Sequence, residues 1–159
     1  MESKISMLIL ESLDKKINNK KIASAVFKAL GQKDKLKAEV VFVSASEIQD
    51  LNKTTRGVDR VTDVLSYPTL ANVRGKVLKA KNYKNECEKN TLFIGSIVLC
   101  EDKIKAQAKE LGHSEARERT YLIVHGLMHL FGYDHETDKD KKQMRKMEKK
   151  ALMLLKIEE

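Results

Sequence analysis

Apolar residues fall in short runs through most of the chain and at helical spacing in its last third, so the pattern predicts strands with helices first and helices alone afterwards. The run Ile5 to Leu10 predicts a strand, and Ser12 is placed to cap a helix that carries Ile17, Ile22, Val26, Phe27 and Leu30 and ends at Gly31. Val40 to Val43, β-branched and aromatic, predicts a second strand. A capping box follows, with Ser46 at the cap and Gln49 three positions on. Lys53 to Arg60 is polar around Gly57. Val61 to Tyr67 returns to strand character and stops at Pro68, the only proline. Lys76 to Asn90, rich in lysine and asparagine, reads as a mobile surface insertion without chemistry. Leu92 to Leu99 is another short strand, and its interruption at Gly95 and Ser96 marks a bulge or the close approach of another group.

Three helical patterns complete the chain. One spans Asp102 to Leu111 before Gly112, and one runs from a Ser114 cap to Phe131 before Gly132. The last runs from Asp138 to Leu155, with Met144, Met147, Ala151, Leu154 and Leu155 as its core stripe. Its opposite face reads as alternating lysine and glutamate in solvent, and the helix is expected to take no part in catalysis. The order of elements implies an α+β fold, a small mixed sheet with helices packed on it, and 159 residues fit one domain, 1–159.

Composition narrows the class. With 42% hydrophobic and 34% charged residues the chain has enough apolar material for a core, which excludes a disordered tail or a collagenous fibre. A formal charge of +8 and a pI near 9.4 suit a protein working beside phosphate, and equally a solvated lysine coat. Cys87 and Cys100 form no CxxC pair and are too few for a secreted disulfide scaffold. The N-terminal apolar run is too short for a signal peptide, and no stretch approaches the ~20 apolar residues of a membrane span. A cytoplasmic protein is the expectation.

Three of the four histidines fall in Val124 to His135. His125 and His129 are four apart, so on a helix their side chains share a face and can converge on one ion. Gly132 allows a left-handed residue that ends the helix and turns the chain back, so that His135 completes a three-nitrogen face. Three protein ligands leave a fourth tetrahedral position open, the mark of a catalytic Zn²⁺ site, one per chain. The spacing HxxxHxxGxxH is shared with metzincin proteases, but Gly126 stands where those enzymes carry their glutamate base. A peptidase mechanism therefore lacks its proton acceptor. Phosphodiester hydrolysis needs a Lewis acid, an activated water and a fixed cation instead.

The stretch His125 to His135 resembles the HGxxHLxGYDH signature of the YbeY-type endoribonucleases, single-domain bacterial metalloproteins implicated in ribosomal RNA maturation and ribosome quality control. Leu51 and Asn52 with Arg56, Gly57, Asp59 and Thr62 to Pro68 resemble the family's LNxxYRGxDxPTDVLSFP. Ile94 to Val98 resembles its LGDIVI strand, and Gly112, His113 and Ser114 match the turn before the metal helix. The likeness covers Leu51 to Leu155. Thr55 stands where the family usually has tyrosine, Val61 where it often has proline, and Ser96 where it often has aspartate.

The resemblance implies a metal-dependent RNA endonuclease whose substrate is ribosomal RNA and whose partner is the small ribosomal subunit, with no DNA and no membrane involved. It makes Arg56 the catalytic arginine of the cleft, a role that a guanidinium suits through paired hydrogen bonds to phosphate. Asp134, His113 and Ser96 are candidates for supporting the ligands or touching substrate. Asp134 could instead terminate the loop by bonding backbone. Metal-activated water or the RNA's own 2′-hydroxyl is the expected nucleophile. Two rival readings are a metal-dependent peptidase and a non-catalytic, zinc-containing ribosome-assembly factor.

Overall fold

The computed structural model describes residues 6–12 and 18–157. In chain order the elements are β1 (Met7–Ser12), α1 (Asn19–Ala29), β2 (Lys35–Val43), α2 (Ala45–Arg56), β3 (Val64–Pro68), β4 (Cys87–Glu88), β5 (Thr91–Cys100), α3 (Glu101–Leu111), α4 (Glu115–Leu130) and α5 (Asp138–Leu154). They form the α+β fold that the pattern implies. The sheet is mixed, in the order β1-β2-β5-β3, with β1, β2 and β5 parallel and β3 and the short β4 antiparallel to β5.

Period-two alternation sends residues to two faces. Leu8 and Leu10 of β1, Leu36, Ala38 and Val40 of β2, and Ile97 and Leu99 of β5 are buried in one large core with α1, α4 and α5. Each contributes about 1.5 to 3 kcal/mol by leaving water, less for alanine. Leu65, Val98 and Cys100 face the other way, where Ile48 of α2 closes a smaller cluster. Thus α2 and α4 lie on opposite faces of the sheet, at the end where β3 forms its edge.

Several local expectations change. Ser12 is the last residue of β1, paired with Val40, and Asn18 caps α1 by accepting the Lys21 N–H at 3.3 Å. Ladder pairing to β2 keeps Ser12 inside β1, and α1 starts further along the chain, on Asn18; Ile5 and Ile17 lie outside the described residues. The capping box of α2 is Ser44 with Glu47, not Ser46 with Gln49. β2 ends at Val43, so the helix begins on the first serine available, and its two reciprocal bonds are each 3.2 Å.

The lysine- and asparagine-rich stretch is tied to the body rather than loose. Buried Gln32 donates to the Lys76 carbonyl and accepts from Leu78 N–H, each at 2.9 Å, and Asp34 accepts from Ala80 N–H at 2.8 Å. Leu78 is buried in the core. Lys89 and Asn90, both with positive φ, form the hairpin turn between β4 and β5. Composition hid this because the anchoring groups lie more than 40 residues upstream.

The break at Gly95 is both a bulge and a close approach. The register of β5 against β2 shifts between Lys37 and Ala38, opposite Phe93 and Gly95. Gly95 has φ +139°, and a Cβ there would press into the Tyr67 carbonyl oxygen and the Leu130 side chain. Glycine thereby lets the last residue of α4 sit directly on β5.

Candidate metal centre

Ser114 caps α4 by accepting the Arg117 N–H at 3.1 Å, as the sequence predicts. Most of the helix is buried because the sheet packs against it on one side and α5 on another. His125 and His129, only half-buried, occupy the remaining sector with ring centroids 4.8 Å apart. The helix ends in paired bonds from Gly132 N–H to the His129 carbonyl and from Tyr133 N–H to the Met128 carbonyl, both 3.0 Å. Gly132 has φ +93°, and a Cβ there would lie 2.6 Å from the Arg74 nitrogen, so glycine is required twice over.

The returning chain brings exposed His135 to 5.7 Å from the His125 ring and 5.0 Å from the His129 ring. One ring nitrogen from each of the three lies within 4.8 Å of the others. Two rings are already oriented. His125 Nδ1 donates to the Glu148 carboxylate at 2.8 Å, and His129 Nδ1 donates to the Tyr133 carbonyl at 2.9 Å. Each Nδ1 hydrogen is thus used, which leaves the Nε2 lone pair to bind a cation. Burial, reinforced by the neighbouring His125, lowers the His129 pKa from 6.5 to about 4. Its imidazole stays neutral, the state that metal ligation requires. The donor set fits one ion of the imidazole-binding kind, with room for a further ligand.

Two residues that the sequence reading passed over build this site. Glu148 belongs to α5, the helix expected to have no catalytic part, and it is 4% exposed against His125. Its signal was legible, since it is an acid on the buried stripe of Met144, Ala151 and Leu152. Arg74 gave no such signal. Its guanidinium donates to the Gly132 carbonyl at 3.1 Å, to Asp134 and Asp140 at 2.8 Å each, and to Gln143 at 3.2 Å. That fan of bonds fixes the loop between α4 and α5.

Asp134 consequently supports the loop, through Arg74 and the Glu136 N–H at 3.4 Å, and the carboxylate against a histidine is Glu148. His113 lies apart from the trio, bonded to buried Glu118 at 2.6 Å near the start of α4. The Ser96 hydroxyl donates to Glu39 at 3.0 Å across the β2 and β5 pairing, beside Val98 on the face that α2 covers. Arg56 is exposed in the last turn of α2, before left-handed Gly57, with one weak bond to Asn52 at 3.5 Å. The structure therefore gathers the three histidines and leaves His113 in the turn before α4, Ser96 on β5 and Arg56 on α2.

The family model for Endoribonuclease YbeY matches residues 6–156. The chain belongs to the YbeY endoribonuclease family. A curated YbeY endoribonuclease of Clostridium kluyveri is 46% identical over 123 residues, covering 74% of this chain and 75% of the relative. One of Clostridium perfringens is 38% identical over 154 residues, covering 94% and 90%. The solution structure of a Thermotoga maritima protein overlays with a TM-score of 0.55 at 25% identity, covering 94% of this chain and 92% of that one. As a YbeY endoribonuclease the chain is an RNA endonuclease, and the trio from His125 to His135 is its candidate metal site.

Proposed function

We propose that this chain, acting as one domain, is a zinc-dependent endonuclease of single-stranded RNA that matures the 3′ end of 16S ribosomal RNA and serves ribosome quality control in the bacterial cytoplasm, on the small ribosomal subunit. The observation that carries the reading is the convergence of three imidazoles, two of them held by their Nδ1 hydrogens with Nε2 left free. His125, His129 and His135 would hold the ion. When bound, it would supply Lewis acidity toward a phosphate oxygen and acidify water near neutral pH.

The chain's own groups do the positioning. Glu148 fixes the His125 ring, the Tyr133 carbonyl fixes the His129 ring, and Arg74 fixes the loop that carries His135. Arg56, at the end of α2, is the cation proposed to clamp the phosphate as charge develops. A strand reaching both the histidines and Arg56 would cross the β3 edge, since α4 and α2 lie on opposite faces there. The peptidase reading loses further support, because a Cβ on Gly126 would lie 2.9 Å from Ile97 and a glutamate base has no room.

Metal-replete protein, incubated with single-stranded ribosomal RNA fragments and mapped for product ends, tests the reading. Internal cleavage that is lost in folded His129→Ala is the expected result. A 2′,3′-cyclic phosphate product would assign the attack to the RNA's 2′-hydroxyl, and 5′-phosphate with 3′-hydroxyl ends would assign it to water. A zinc-containing protein that cuts no RNA would leave the assembly-factor role.

A further inference from the structure

From Lys141 to Ile157 the sequence has seven cations and a single acid, Glu148. Packing separates their charges. Met144, Glu148, Ala151 and Leu152 are the buried face of α5, against α1 and α4, and the Glu148 carboxylate is turned inward to His125. Preceding Asp140 is turned to Arg74. The solvent face therefore has no alternation of lysine and glutamate, contrary to the sequence expectation. Lys142, Arg145, Lys146, Lys149 and Lys150, with Met153, instead line a shallow open groove at spacings of three and four.

Among the described residues, Lys142, Arg145, Lys146 and Lys150 enter no ion pair. Like charges four apart on a helix repel by a few tenths of a kcal/mol per pair, so the row costs stability while it faces only water. A polyanion would remove that cost. The row from Lys142 to Lys150 is about 12 Å long at the helical rise, enough for several backbone phosphates. A bilayer is a poorer occupant, because most apolar side chains of α5 are already buried in the protein, with only Met153 and Leu154 exposed at its end. The contact of Glu148 with His125 also puts this helix directly beside the histidine centre.

We propose that the solvent face of α5 is a docking ridge for the phosphate backbone of RNA, holding the strand that flanks the bond presented to the histidines. The inference rests on the RNA-cleaving reading above. It adds a track that is independent of base sequence and sensitive to salt.

The test is the full chain with Lys142→Gln, Lys146→Gln and Lys150→Gln combined, at zinc content matched to wild type. The three side chains are exposed, so circular dichroism should be unchanged. Cleavage of a single-stranded RNA oligonucleotide should show a KM raised about tenfold or more near 0.1 M salt, with kcat within about twofold. The log-log salt slope of RNA affinity, read by anisotropy, should fall by about 2, since each single-strand phosphate contact contributes about 0.7. Equal KM and equal salt slope would overturn the ridge while leaving the cleavage reading intact. Wild-type protein that cuts no RNA would overturn the cleavage reading, and anisotropy would still decide the ridge. Loss of binding to phosphatidylserine vesicles with RNA affinity unchanged would also overturn it, assigning the face to a lipid surface.

Discussion

Glu148 on α5 and His125 on α4, 23 residues apart in sequence, meet at 2.8 Å. The bond orients the imidazole and makes the last helix part of the candidate metal centre.

Removing this carboxylate should weaken metal binding. Glu148→Ala frees the His125 ring to rotate, and loss of such a partner typically costs 10 to 100-fold in metal affinity. Glu148→Gln keeps an acceptor oxygen and should lose less. Zinc competition against a chromophoric chelator measures both; equal affinity in wild type and Glu148→Ala would remove the residue from the site.

Arg56 is tested by the pair Arg56→Lys and Arg56→Ala. If the guanidinium clamps phosphate through paired bonds, lysine keeps charge but loses geometry, and both variants should lose about 100-fold or more in turnover at unchanged zinc content. An exposed arginine without that role predicts nearly no change. Equal cleavage by all three proteins would exclude it from the reaction.

Gly126→Glu tests the boundary with the metalloproteases. Ile97 is fully buried beneath Gly126, so a side chain there must push α4 off β5, at a cost of about 3 kcal/mol or more. The expected outcome is a lower urea midpoint and no peptide hydrolysis. A stable variant that cleaves casein would show that the helix has room for a base.

Arg74 and Asp140 supply a pH-dependent contribution. Hydrogen bonds from Arg74 and then Thr137 lower the Asp140 carboxyl from an ordinary 3.8 to about 2. Because the folded value is the lower one, the stabilisation is complete above about pH 4 and fades as pH falls through about 2. Asp140→Asn should be less stable than wild type at neutral pH, with the difference closing over that window in urea titrations. A difference independent of pH would attribute the effect to the helix cap alone.

The sequence by itself determined the α+β class, the strands ending at Leu10, Val43 and Tyr67 to within a few residues, and the three histidines. These signals are local: period-two and helical spacing, a serine cap, a left-handed glycine, and ligands within 11 positions of one another. The interruption at Gly95 was legible for the same reason.

Tertiary structure decided what depends on groups distant in the chain. Ser44 prevailed over Ser46 because the ladder to β5 set where β2 stopped. Gln32 and Asp34 anchored a stretch that composition made look loose. Arg74 reached 66 residues ahead to Asp140, a pairing to which no spacing rule applies. Glu148 of the lysine-rich helix found its partner only because the packing of α5 on α4 brought His125 opposite it. Periodicity reports which face of an element is buried, but the partner on that face is set by the packing of whole elements.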